Sequence, residues 1–283
     1  MDFIGTGDGD RIVGTQDDDT FDMSAGGHDT VRGGAGDDTF LFGDQFFGTD
    51  VVDGGAGIDT LVLDGPYQLL TRLHAKTLTG IEVLQVVGAH SYSLKLDDGN
   101  VAAGKVLTVQ ADIFNGGTLY LDGRSETDGR FHMVGSVEGD GLLGGGRADT
   151  LDGGKGHDNL AGNGGADVIT GGEGADHMSG GAGADLFVYL SIADSSAGFT
   201  DLITDLDARD RIDLSAIDAD TGTDGDQAFV LAEAFSGHAG EAVLSYDAGA
   251  KLTTLRLDVD GDGQADGLIT MSGDHTDFTR LVL

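Results

Sequence analysis

Between Gly135 and Val188 the chain divides without a gap into six frames of nine residues, and the sixth position of each is aspartate: Asp140, Asp149, Asp158, Asp167, Asp176 and Asp185. The frames read GSVEGDGLL, GGGRADTLD, GGKGHDNLA, GNGGADVIT, GGEGADHMS and GGAGADLFV. A less regular series opens with GTGDGDRIV, GTQDDDTFD, SAGGHDTVR and GGAGDDTFL, followed by a degenerate QFFGTDVVD and by GGAGIDTLV. Its sixth positions are Asp10, Asp19, Asp29, Asp38, Asp50 and Asp59. Carboxylates at so fixed a spacing, next to glycine-rich backbone that also offers carbonyls, form the all-oxygen environment that hard divalent cations require.

The elements that must hold these carboxylates follow from the other positions of the frame. Glycines permit the positive φ angles of a six-residue turn. The last three residues have room for a short strand whose apolar position eight points inward: Leu142, Leu151, Leu160, Ile169, Met178 and Phe187 in the regular series. Two frames make one coil, and coils stacked in parallel lie roughly 4.8 Å apart, so aspartates of alternate frames line up along each edge. Aligned carboxylates repel one another unless a cation lies between them. Calcium fits, since it accepts six to eight oxygens at about 2.3–2.6 Å in flexible geometry, whereas magnesium demands a tight octahedron and keeps its waters. A core of one inward side chain per short strand is thin, so binding of several calcium ions is expected to supply much of the folding free energy.

Composition narrows the field further. The 283 residues include 51 Gly, 1 Pro, no Cys and no Trp, with 50 acidic against 15 basic residues and a formal charge of −35. Such a surface repels phosphate backbones and anionic lipids, so neither nucleic acid nor membrane insertion is expected. Of the acids, 44 are Asp and 6 are Glu, a bias toward the carboxylate that tolerates turns. Without cysteine there is no disulfide or thiolate metal site. The start, Met1-Asp2-Phe3-Ile4-Gly5, lacks the basic and apolar stretches of a signal peptide, so export would need another signal.

Four segments result: 1–62 and 135–188, which carry the frames, 63–134, where the period vanishes, and 189–283, where the texture changes again. Their charges are −12, −2, −7 and −14. The middle segment keeps short β-like runs such as IEVLQV, YSLKL and TLYLD but lacks the acidic excess that a row of calcium sites needs. The expected fold is all-β: two β-roll blocks joined by a calcium-poor parallel β-solenoid and closed by a β-rich C-terminal cap. The cap covers strands that would otherwise template aggregation.

The frame resembles the repeats-in-toxin (RTX) nonapeptide, a calcium-binding β-roll repeat. The segments DLITDLDARDRIDLSAIDA, FSGHAGEAVLSYD, LDVDGDGQADGLI and the terminal DFTRLVL resemble the C-terminal domain of serralysin-type metalloproteases. That resemblance implies export through a type I ABC transporter by an uncleaved C-terminal signal, and an extracellular or cell-surface location. Asp258, Asp260 and Asp262 with Gly263, followed by Asp266, look like the first part of an EF-hand loop and are candidate ligands of a further calcium ion, the alternative being a solvated acidic β-turn, since Ile269 stands where the bidentate Glu belongs. Occupancy is expected to vary among frames, because Gln16, Glu138 and Arg147 replace glycine at positions three or four.

No catalytic constellation accompanies these features. The chain contains no H-E-x-x-H, no G-x-S-x-G and no P-loop motif, and its eight histidines form no local ligand spacing. In the middle segment Arg72, His74, Lys76, Tyr92, Lys95, Arg124, Arg130 and His132 could hold an acidic sugar, but alternate polar residues on a half-buried strand explain them as well. The expected function is therefore that of a secreted, non-enzymatic calcium-binding protein, a surface, matrix or filament component able to self-assemble through its solenoid ends. The alternative is the calcium-binding and secretion module of a larger secreted enzyme, such as a metalloprotease or a polysaccharide-modifying enzyme.

Overall fold

Position eight of the frames decides the architecture. A computed structural model describes residues 1–113 and 116–283, and in it every position-eight residue of the regular series is buried. These side chains form two facing columns. In one, Leu151, Ile169 and Phe187 stack in register, continued by Ile212; in the other, Leu142, Leu160 and Met178 do the same. Each column belongs to a run of parallel strands, in sheets whose strands are two to eight residues long, for example Asn159–Ala161 and His177–Ser179. Among the described residues there is no helix.

One face of the solenoid is a single sheet of 12 strands running from Asp2–Ile4 to Leu281–Val282. The opposite face is divided. A sheet of 4 strands, from Arg11–Val13 to Leu78–Thr79, covers the N-terminal coils, and a sheet of 11 strands beginning with Tyr67–Leu73 covers the rest. Along the continuous sheet, the step from one coil to the next reads the underlying repeat. It is 18 residues from His132 to Thr150, to Val168 and to Leu186. It lengthens to 23, 25 and 24 residues between Thr60, Val83, Thr108 and His132, where the nonapeptide pattern is lost. The aperiodic segment thus continues the same stack with longer turns.

Two tyrosines close those longer turns. Tyr67 and Tyr92 stack at 5.7 Å; the Tyr67 hydroxyl donates to the Phe42 and Gly43 carbonyls, and that of Tyr92 to those of Leu63 and Val87. Buried hydroxyls here satisfy carbonyls that the absent repeat turn would have satisfied.

The C-terminal residues terminate both faces. Asp201–Ile203 pairs in parallel with Gly267–Ser272, which leads into antiparallel Leu252–Asp258 and Glu241–Asp247. The last strand, Leu281–Val282, lies beside Arg211–Asp213. Antiparallel pairing ends the repeat of the solenoid and covers its edge.

Candidate metal centre

The position-six aspartates form ladders. In each rung one carboxylate oxygen accepts the backbone N–H of the aspartate one coil earlier: Asp140 N–H donates to Asp158 Oδ1 (2.7 Å), Asp158 to Asp176 (2.9 Å) and Asp176 to Asp201 (2.9 Å). Along the other edge Asp149 donates to Asp167 (2.7 Å), Asp167 to Asp185 (2.9 Å) and Asp185 to Asp210 (3.0 Å). The N-terminal block repeats the arrangement, from Asp10 through Asp29 to Asp50 and from Asp19 through Asp38 to Asp59 and Glu82.

The second oxygen separates the aspartates into two groups. In Asp29, Asp38, Asp59, Asp158, Asp167, Asp176 and Asp185, Oδ2 is buried and has no hydrogen-bond partner. In Asp10, Asp19, Asp140 and Asp149 the N–H of position two closes back onto it, from Thr6, Thr15, Ser136 and Gly145, and in Asp50 the Phe47 N–H does so. Position four accounts for the division except at Asp50, whose frame has Gly48 there and closes through position three. All seven frames with an orphaned Oδ2 have glycine there, and Gly27, Gly36, Gly57, Gly156 and Gly165 adopt positive φ, from 106 to 148°. The four frames that close through position two carry Asp8, Asp17, Glu138 or Arg147 instead. A residue with a Cβ avoids the left-handed turn and the chain folds tightly onto its own carboxylate.

An orphaned anionic oxygen inside a protein demands a partner. Burial pushes the carboxyl groups of Asp158 and Asp167 up to about 7 and that of Asp59 up to about 6. In six of these seven frames position-one glycine leaves room beside the oxygen. A Cβ on Gly54 would lie 2.5 Å from Asp59 Oδ2 and against the Gly80 carbonyl oxygen, and on Gly153 it would meet Asp158 Oδ2 and the Gly171 carbonyl. Carboxylate and carbonyl oxygens of successive coils therefore converge, and an oxygen-only donor set fits calcium. The ion would be held by the orphaned Oδ2 atoms with neighbouring carbonyls; bound there, it supplies the positive charge that ties coil to coil.

Sequence reasoning missed three members of the ladders. Asp201 is fully buried with an orphaned Oδ2, its carboxyl pushed up to about 8 by burial, and the nearby Tyr189 hydroxyl also lacks a partner. Asp210 receives Asp185, and Glu82 receives Asp59. All three lie outside the nine-residue frames but begin an acid-x-apolar triplet, Asp201-Leu202-Ile203, Asp210-Arg211-Ile212 and Glu82-Val83-Leu84, and that signal would have found them.

In the cap, Asp258, Asp260 and Asp262 offer oxygens within 4.8 Å of one another. Asp266 is not in that group; its Oδ2 accepts the Val259 N–H and braces the loop. Ile269 is buried in the strand pairing with Asp201, so the usual twelfth ligand position of an EF-hand is part of the core.

The middle segment spends its charges internally. Asp122 accepts from Arg124 and Lys95, which hold its carboxyl far below the usual range. Asp97 accepts from Arg72 and pairs with His74. Glu126, fully buried, accepts the N–H groups of Gly99, Val101, Thr127, Asp128 and Gly129.

Residues 126–283 match the family described as peptidase M10 serralysin C terminal. The chain belongs to this family. Residues 24–45 and 47–62 of this serralysin C-terminal protein also match the RTX calcium-binding nonapeptide repeat. Over 88 residues it is 47% identical to the metalloprotease AprA of Pseudomonas entomophila (strain L48) and 43% identical to the metallopeptidase AprA of Pseudomonas marginalis. That stretch is 31% of this chain, and it spans 18% and 17% of the two curated relatives. Among solved structures, the AlgE6R2 subunit of the Azotobacter vinelandii mannuronan C5-epimerase is similar at 28% identity and a TM-score of 0.40, covering 53% of this chain and 91% of that one.

Proposed function

We propose that the protein is a type I secreted module that folds around several calcium ions once outside the cell and serves there as a non-enzymatic structural component of a surface, matrix or filament. The observation that carries this reading is the double ladder of buried aspartates with an orphaned oxygen. At the low calcium level of a cytoplasm these carboxylates repel and the chain stays open for a transporter; extracellular calcium closes it. The strands Asp2–Ile4 and Arg11–Val13 are each paired on one side only, with Phe3 and Ile12 partly exposed above the core, and in this reading that edge meets a second copy. Phe3 also tops an aromatic column with Phe21 and Phe40, at 4.9 and 4.8 Å.

A second reading, the calcium-binding and secretion module of a larger secreted enzyme, is favoured by the match to a short part of two metalloproteases. Far-UV circular dichroism during a calcium titration, with light scattering and electron microscopy of the same samples, tests the first reading. Calcium-dependent β-structure with a growing particle supports it. Calcium-dependent β-structure in a monomer favours the module reading, and the same β-structure content in chelator as in calcium overturns both.

A further inference from the structure

The uniform 18-residue coils present a flat turn face, and one insertion breaks it. Between Leu186 and Arg211 the step grows to 25 residues. The added loop folds back through paired hydrogen bonds between Ser196 and Phe199, at 3.0 Å each, and leaves Phe199 54% exposed. The ring is not loose: it stacks on His157 at 6.0 Å with 20° between the planes. Held in this way beside a cavity, the ring offers a fixed apolar plane on which a ligand can stack.

Beside the ring lies a cavity of about 340 Å³, near the lower end of the range for small-molecule sites. Gly156 and Gly174 form part of its lining, so no side chain fills that side. Its polar part is Lys155 and Glu173, paired at 2.6 Å yet each more than half exposed, and His157. The His157 Nδ1 accepts the Ala175 N–H, so the neutral ring carries its proton on Nε2 and offers a donor. An aromatic plane beside an ammonium, a carboxylate and an imidazole donor matches a molecule with an apolar face and a rim of hydroxyls. With Glu173 at the cavity and the chain at −35, an anionic ligand is disfavoured.

We propose that this cavity is a subsite for a neutral sugar ring of a polysaccharide, its C–H face stacked on Phe199 and its hydroxyls bonded by Lys155, Glu173 and His157. The inference goes beyond the calcium reading and depends on it only in that the glycine turns must be folded.

The full chain in calcium is titrated with neutral hexasaccharides of glucose, mannose and xylose by saturation-transfer NMR and calorimetry, with hexamannuronate as the anionic probe. Binding of at least one neutral sugar at millimolar or tighter affinity is expected. Phe199→Ala should weaken it roughly tenfold, Glu173→Gln severalfold, and Phe199→Tyr should retain it. The subsite is overturned if a calcium-folded chain binds none of the neutral sugars, if it prefers the uronate, or if Phe199→Ala binds as well as the parent. Ellipticity recorded on the same samples separates the two readings. A folded chain that ignores sugars removes the subsite alone, whereas sugar binding by a chain already folded in chelator removes the calcium reading alone.

Discussion

The coils of 135–188 and those of 63–134 belong to one stack, yet they satisfy their turns by opposite means. In the former four of the six position-six aspartates, Asp158, Asp167, Asp176 and Asp185, leave one carboxylate oxygen unmatched, a place for an added cation. In the latter the chain supplies its own cations and donors: Lys95 and Arg124 on Asp122, Arg72 on Asp97, and five backbone N–H groups on Glu126. The self-sufficient coils are also longer, 25 residues from Val83 to Thr108 against 18 from Thr150 to Val168. From this difference we propose that one solenoid carries calcium-dependent and less calcium-dependent coils in series, since each coil needs only its neighbours.

Chelation is the strongest way to test that comparison. In excess chelator, hydrogen exchange across 135–188 should accelerate on the order of a thousandfold as its folding free energy is lost, while 83–112 and 119–134 retain more protection. Equal loss in both regions, read by mass spectrometry, would break the distinction.

Glu126→Ala should act on the other side. Stripping the acceptor from five N–H groups in a dry site is expected to cost about 3 kcal/mol or more even at saturating calcium, measured by urea unfolding. Rescue by added calcium would contradict the assignment of this residue to calcium-independent packing.

Asp167→Asn and Asp140→Asn sharpen the division within the ladder. Asparagine keeps an acceptor for the neighbouring N–H, so the first variant removes chiefly the orphaned anionic oxygen. It should lower the bound calcium and raise the half-saturating concentration severalfold. Asp140, whose second oxygen is already engaged by Ser136, should change that concentration little. The two titrations, run side by side with elemental analysis, would refute the position-four rule if they coincided.

The smallest effect is that of pH. The carboxyls of Asp158 and Asp167, held near 7, bind protons more readily in the calcium-free fold than in the unfolded chain. That fold is therefore favoured at low pH and loses this contribution as pH rises through about 7. Calcium must expel the same protons, so its affinity should fall below pH 7, by about tenfold per pH unit for each carboxylate it deprotonates. Asp122, held low by Arg124 and Lys95, gives the middle coils no such response in this range. A calcium isotherm unchanged between pH 8 and about 6 would contradict the prediction.

Much of this site was legible in the sequence. Position six named the ladder and position eight the core, as the burial of Leu151, Ile169 and Phe187 bears out. The strand-like runs YSLKL and TLYLD of the aperiodic segment lie in Tyr92–Leu96 and Leu119–Asp122. Other parts were not legible. Asp201 and Asp210 escaped notice because the loops before them stretch the coil, so a fixed period passes over them. The basic residues that suggested a sugar site in the middle segment instead neutralise acids one strand away: Arg72 reaches Asp97, and Lys95 reaches Asp122. Separations of 25 and 27 residues hide such pairs from any local pattern.

By itself the sequence determined the unit: glycine where φ must be positive, aspartate at the end of the turn, an apolar side chain pointing inward two residues later. Those are properties of single residues and their immediate neighbours. Only the tertiary structure decided which carboxylate oxygens lack a partner, because along the ladders the first oxygen is engaged by an N–H from the preceding coil and the second is left to a turn that closes or stays open. Satisfaction of a buried charge depends on every group around it, and in a stack those groups come from residues a whole coil away.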